Sequence, residues 1–122
     1  MVGQGPENPM QWSVAEFLDR FKTALELCPP VWHEHARRLE EIADLGITRN
    51  QVLEELQNLE AVCQVKGPEA DDAESAATSA LHVFKHTLKG TSTIVYVKIA
   101  VKLHPKKKHV LIPKIWSFKR WS

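Results

Sequence analysis

Residues 93–103 read TIVYVKIAVKL and carry the clearest β-strand pattern in the chain. From residue 95 onward, the odd-numbered side chains of this segment are apolar: Val95, Val97, Ile99, Val101 and Leu103. The opposite set includes Tyr96, Lys98 and Lys102. Successive side chains of a strand point to opposite faces of its sheet. The segment therefore predicts a strand with one face for the hydrophobic core and one face that presents a phenol among ammonium groups.

Two further strands are predicted on either side of this segment, at residues 81–88 and 109–120, with turns at residues 89–92 and 104–108. Proline cannot donate a hydrogen bond to a β-ladder, so Pro113 predicts that the last strand lies at a sheet edge or is bulged there. Three consecutive strands joined by short turns predict an antiparallel meander.

Three helices are predicted ahead of the strands. Capping-box patterns at Ser13 and Thr48 begin the first and third helices. Pro29 must end the first helix. The second helix is predicted over residues 34–45, and Gly46 suits the left-handed position that ends it. Helices followed by a meander predict an α+β fold, with the helices packed on one face of a small twisted antiparallel sheet.

At 122 residues the chain is expected to form one domain. Its predicted parts are a flexible lead, a helical part, an acidic connection and a basic sheet, at residues 1–11, 12–60, 67–79 and 81–120. No apolar run approaches the ~20 residues that span a bilayer, and the first residues lack the apolar segment of a secretory signal. Cys28 and Cys63 are far apart in sequence and are expected to be reduced thiols. A cytoplasmic protein without membrane contact is predicted.

Charge is divided sharply between the two parts of the chain. Residues 80–122 contain ten Lys or Arg and no acid, whereas residues 1–79 contain all fifteen acids and six basic side chains. The net charge of +1 therefore combines about −9 with about +10. A basic part with no acids of its own favours an anionic partner such as a polyphosphate.

Lys85 and Lys119 would flank Tyr96 if their strands are its neighbours. The alternative is a solvated face whose lysines keep the sheet soluble, but ordinary exposed faces mix charges of both signs. A cationic face with a phenol suits RNA cleavage, in which the 2′-hydroxyl attacks the adjacent phosphorus. The lysines would stabilise the charged phosphorane, and Tyr96 could stack on a base, orient the phosphate or transfer a proton. No metal or cofactor is expected.

Other side chains are weaker candidates for a functional site. His82 and His86 share one strand face but lie too far apart to reach one atom, and no histidine has zinc-ligand spacing with a cysteine. A histidine acid/base pair drawn from two strands is an alternative to the lysines and Tyr96. The Lys106–Lys108 turn is either a solvated tip or a phosphate contact. Trp116 and Trp121 are either core and rim aromatics or base-stacking surfaces, and the strand position of Trp116, which matches that of Phe118, favours the core.

Several motifs together resemble one protein family. They are VYVKI at 95–99, SFK at 117–119, LHVFKHTLKG at 81–90, KGPEAD at 66–71, LGIT at 45–48 and the opening helix QWSVAEFLDRFKTAL at 11–25. In these segments the chain resembles the MqsR-type toxins of bacterial type II toxin–antitoxin systems, which are messenger-RNA interferases of RelE-like fold. The resemblance implies that the family's functional tyrosine falls on Tyr96, its C-terminal lysine on Lys119 and the lysine ahead of its sheet on Lys66. A glutamine of some members corresponds to Lys85, which keeps a donor and adds charge.

The resulting expectation is a metal-independent endoribonuclease toxin whose partners are RNA and a cognate antitoxin, which often carries a helix-turn-helix DNA-binding domain. The expected catalytic side chains are Tyr96, Lys119, Lys85 and Lys66. The expected RNA-binding side chains are Lys98, Lys102, Arg120 and Lys89. Two alternatives use the same basic sheet, namely a non-catalytic nucleic-acid-binding module and a domain that docks on an acidic partner. In an intramolecular version, residues 69–74 would fold over the lysines as a weak autoinhibitor.

Overall fold

The structure is a computed structural model that describes residues 8–70, 79–107 and 109–122. The three α-helices of these residues are α1 (Val14–Leu27), α2 (His35–Leu45) and α3 (Arg49–Gln57). The strands are β1 (Val31–Trp32), β2 (Gln64–Glu69), β3 (Ser79–Thr87), β4 (Ile94–Leu103) and β5 (Leu111–Arg120). They form one sheet in the order β1-β5-β4-β3-β2, antiparallel except for the parallel pair β1–β5. The α+β class is confirmed. Within the described residues the sheet has five strands and is mixed, so the prediction of an antiparallel sheet is wrong for the β1–β5 pair.

The helix ends follow the predicted capping chemistry. The Ser13 hydroxyl accepts a hydrogen bond from the Glu16 N–H at 3.1 Å and begins α1. Thr48 and Gln51 form a complete capping box at the start of α3. Gly46 ends α2 with a left-handed φ of 72°. The starts of α1 and α3 and the end of α2 therefore follow from local sequence, whereas α2 begins without a side-chain cap.

Two strands were not predicted. β2 ends inside the predicted acidic connection (residues 67–79), which is therefore wrong for residues 67–69 and for residue 79, where β3 begins. This strand has no alternation of apolar and polar residues and is held by its pairing with β3. At Gly67, where φ is 126°, a Cβ atom would lie 2.9 Å from the Leu81 carbonyl oxygen, so the close approach of β2 requires glycine. Residues 71–78 of the predicted connection and residues 1–7 of the predicted lead lie outside the described residues.

The core forms on the predicted side of β4. Val95, Val97, Ile99 and Val101 are fully buried. They belong to one apolar cluster with residues of all three helices, including Phe17, Phe21, Ile42, Val52 and Leu56. Tyr96 and Lys98 alternate with these buried residues and lie on the other face of the sheet. We call that other face of β3, β4 and β5 the outer face.

β5 contains a bulge at Trp116. Ser117 lies opposite Lys98 and Ile115 lies opposite the next residue, Ile99, so Trp116 is an extra residue in the ladder. The prediction that Trp116 packs in the core is wrong, because the bulge reverses its direction relative to Phe118. Pro113 lies opposite Val101 in the regular part of the β4–β5 ladder. The bulge predicted at Pro113 therefore lies three residues further on, at Trp116.

Side chains of α2 cover the edge of β5 beyond β1. The buried Arg38 guanidinium donates to the Trp116 carbonyl oxygen and lies 2.8 Å from a Glu41 carboxylate oxygen. Glu41 accepts hydrogen bonds from the Ser117 hydroxyl at 3.0 Å and the Phe118 N–H at 3.1 Å. Backbone groups at a bulged edge need such partners when they are buried. This ion pair therefore fixes the second half of β5.

Candidate nucleic-acid interface

Lys85, Tyr96 and Lys119 lie side by side on the outer face, and we call them the Tyr96 row. Tyr96 lies opposite Lys85 of β3 and opposite Lys119 of β5 in the two ladders. Directly opposite residues have Cβ atoms about 4.5–5.5 Å apart. Both lysines are exposed and the phenol is half-buried, and Lys119 Nζ lies 5.3 Å from the centre of the Tyr96 ring. Three of the four side chains predicted to be catalytic are thus brought together.

Trp121 adjoins the Tyr96 row. Its ring centre lies 5.9 Å from that of Tyr96 with an interplanar angle of 43°. Lys85 Nζ lies 5.1 Å from the indole centre. The row therefore combines two cations with two aromatic rings, which is the combination that single-stranded nucleic acids bind through phosphates and bases.

A second aromatic and basic cluster surrounds Trp116. Lys98 Nζ and Lys114 Nζ lie 5.2 Å and 4.8 Å from the indole centre. The His33 ring is stacked on the indole with ring centres 3.6 Å apart. Trp116 and Lys98 also line a cavity of about 400 Å³ together with Lys66 and Glu69. The outer face thus extends the cationic surface beyond the Tyr96 row.

Lys66, the fourth side chain predicted to be catalytic, lies in this second cluster. It is opposite Val83 on β3, and Val83 is opposite Lys98 on β4. Its ammonium group forms an ion pair with Glu69 at 3.4 Å. β3 to β5 contain no acid, as predicted, but β2 adds Glu69 to the same sheet. Lys66 is therefore a neighbour of Lys98 in the cavity and is not part of the Tyr96 row.

The four side chains predicted to bind RNA are placed in different ways. Lys98 lies on the outer face next to Trp116, and Lys102 lies on that face near the far end of β4. Lys89 is exposed in the β3–β4 turn, where its N–H donates to the Glu55 carboxylate. Arg120 is not brought to the Tyr96 row. It alternates with Lys119 and pairs with Asp44 of α2 at 3.0 Å, because the bulged edge of β5 faces that helix.

The histidines of β3 face the helices. His86 Nε2 lies 2.6 Å from a Glu55 carboxylate oxygen of α3. His82 is buried with its ring centre 4.1 Å from that of Phe17. Burial lowers the pKa of His82 to about 4, and the charge of Glu69 partly opposes this shift. Neither ring is available to chemistry on the outer face.

Sequence reasoning missed His33 and Lys114 and left the roles of the two tryptophans open. Trp121 carried a signal, because it lies two residues after Lys119 and shares its strand face. Trp116 carried none, since its direction depends on a bulge that appears only in the paired sheet. Of the turn at residues 106–108, Lys106 and Lys107 are exposed and Lys108 lies outside the described residues.

No family model, curated protein or solved structure matches this chain. The family resemblance is therefore carried by the short sequence motifs alone. Among the described residues, no helix has the length and apolar character that crossing a bilayer requires.

Proposed function

We propose that this chain is a metal-independent endoribonuclease that binds single-stranded RNA on the outer face and cleaves it at the Tyr96 row. The observation that carries the proposal is the direct cross-strand placement of Lys85 and Lys119 on the two sides of Tyr96. Two ammonium groups separated by one strand can contact oxygens of a single phosphate. The phenol between them adds a donor and a group able to transfer a proton.

The reaction is an internal transfer at phosphorus. The 2′-oxygen forms a bond to the adjacent phosphorus, and the bond from phosphorus to the 5′-oxygen of the next nucleotide breaks. The 2′-hydroxyl loses a proton and the departing 5′-oxygen gains one, so the products are a 2′,3′-cyclic phosphate and a 5′-hydroxyl. Lys85 and Lys119 stabilise the phosphorane charge. Tyr96 orients the phosphate or takes part in proton transfer.

The same proposal includes the biological class that the sequence motifs imply. The chain would be a cytoplasmic messenger-RNA interferase toxin of a type II toxin–antitoxin system, inhibited by a cognate antitoxin. A RelE-like arrangement, with helices against one face of the sheet, is part of this proposal. It is supported by the apolar cluster that joins α1, α2 and α3 to one side of β4.

The test is RNA cleavage by the purified protein in the presence of a chelator, with analysis of the product ends. We expect 2′,3′-cyclic phosphate ends from the wild type and from Arg37→Ala, which removes an exposed cation of α2. Tyr96→Phe and Lys119→Ala should abolish cleavage, and also growth arrest on expression, while both variants remain folded by circular dichroism. Undiminished cleavage by both variants would refute the site.

A non-catalytic nucleic-acid-binding module is the second candidate, and the two lysine-flanked tryptophans favour it. Salt-sensitive RNA binding by the wild type without any cleavage would establish it and refute the endoribonuclease.

A further inference from the structure

Trp121 is held on the outer face by the β-ladder. Its N–H donates to the Ile94 carbonyl oxygen at 2.9 Å, which extends the pairing of β4 and β5 by one residue beyond Arg120. Because alternate residues share a face, this bond places the indole on the same side as Lys119. The ring is therefore positioned by backbone geometry as well as by its contacts.

The indole lies outside the core. It is half-buried and does not belong to the apolar cluster that fills the space between sheet and helices. Its described ring contacts are the Tyr96 ring at 5.9 Å and the Lys85 ammonium at 5.1 Å. A large aromatic ring between a phenol and a cation, at the margin of a cationic surface, provides little packing and a broad π-face.

We infer that the Trp121 indole is the stacking surface for the nucleobase that adjoins the phosphate held by Lys85, Tyr96 and Lys119. This inference rests on the proposed function and adds a subsite to it. A phosphate on the Tyr96 row lies within one nucleotide's reach of the indole, because the two ring centres are 5.9 Å apart. The base must be unstacked from its neighbours, so the subsite accepts a single strand and excludes a paired base.

The relative strengths of the contacts allow a base to replace the lysine at the ring. An exposed cation–π contact corresponds to roughly a two- to fivefold effect on an equilibrium. Stacking of one base on an aromatic side chain corresponds to about five- to 150-fold in affinity. Lys85 can therefore leave the indole for a phosphate oxygen while the base takes its place.

The experiment measures binding of two short oligonucleotides whose 2′-positions cannot attack phosphorus. One is a mixed-sequence RNA methylated at every 2′-hydroxyl, and the other is an abasic strand with the same number of phosphates. The proteins are the wild type, Trp121→Leu, Trp121→Phe and Trp32→Leu. The last is the matched control, because Trp32 packs against the core cluster from β1.

We expect Trp121→Leu to weaken binding of the methylated RNA by about five- to 150-fold and to change binding of the abasic strand by less than about twofold. Trp121→Phe should restore most of the affinity, and Trp32→Leu should bind both strands like the wild type. Equal weakening for both strands, or none, would overturn the inference, as would a fully paired duplex that binds as tightly as the single strand. Cleavage of unmodified RNA by the wild type is measured separately. A negative result for the stacking subsite therefore does not refute the endoribonuclease proposal.

Discussion

Replacing Glu41 with leucine should destabilise the protein by about 3–5 kcal/mol, as expected when one partner of a buried ion pair is removed. The carboxylate lies 2.8 Å from Arg38 Nε and accepts hydrogen bonds from Ser117 and Phe118. After the substitution the guanidinium remains buried without a counter-charge. The Phe118 N–H also loses its acceptor, on the edge of β5 that faces away from β4 and beyond the end of β1.

The magnitude follows from the contacts that are lost. A hydrogen bond to a charged group contributes about 1.5–3 kcal/mol, so two such bonds account for much of the expected loss. Arg38→Met should lower the free energy of unfolding by a similar amount, because it leaves the Glu41 carboxylate, which is only 13% exposed, without its cation. The double variant Arg38→Met/Glu41→Leu should cost about 2 kcal/mol less than the sum of the single variants, since it leaves no unpaired charge.

The assay is urea unfolding of the wild type, both single variants and the double variant, followed by tryptophan fluorescence. Glu41→Gln keeps the side-chain shape and serves as a milder substitution if a single variant fails to fold. A double variant whose loss equals the sum of the single losses within about 0.5 kcal/mol would refute the coupling. The role assigned to α2 in holding the β5 bulge would then be wrong.

Three further predictions concern the stability of the fold and its affinity for RNA. The pKa of His82 is lowered by burial from 6.5 to about 4, so its folded form resists protonation and stability should fall as the pH drops from 6.5 towards 4. The loss from this group should be about 2 kcal/mol at pH 5 relative to pH 7, and an equal loss in His82→Leu would contradict the assignment. Gly67→Ala should lower the free energy of unfolding in urea by more than Gly46→Ala does. The added Cβ at Gly67 would lie 2.9 Å from backbone and side-chain atoms, whereas nothing lies within 4 Å at Gly46. Equal losses would show that β2 is not packed so closely against β3. Lys119→Gln should reduce the slope of log affinity for single-stranded RNA against log salt by about 0.7. Arg120→Gln should leave the slope unchanged, because Arg120 pairs with Asp44. The opposite result would show that Arg120 contacts an RNA phosphate and that Lys119 does not.

Within the described residues, three α-helices and three long strands could be predicted correctly from local signals. Capping residues and left-handed glycine act within a few residues of the helix ends. The alternation of residues 93–103 identified both faces of β4 before any contact was known. The two short strands gave no such signal, because β1 has two residues and β2 lacks alternation, so both depend on pairing with distant partners.

The candidate site was predicted in part. That Tyr96, Lys98 and Lys102 share a face follows from strand periodicity, and the Tyr96 row needed only the correct neighbours in register. The pairing of Arg120 with Asp44 of α2 could not be predicted from the charge pattern, because the two residues meet only in the folded chain. Trp116 was misplaced because one extra residue in a ladder reverses every later side chain relative to the expected alternation.

By itself, the sequence determined the capped helix ends at Ser13, Gly46 and Thr48, the two faces of β4 and the separation of basic from acidic residues. Each of these depends on neighbours along the chain. The tertiary structure decided which cations meet Tyr96, where β5 bulges and which aromatic rings reach the outer face. These features depend on register and on the buried pair Arg38–Glu41, which join residues far apart in sequence. Their energies arise only when the strands and α2 are packed together.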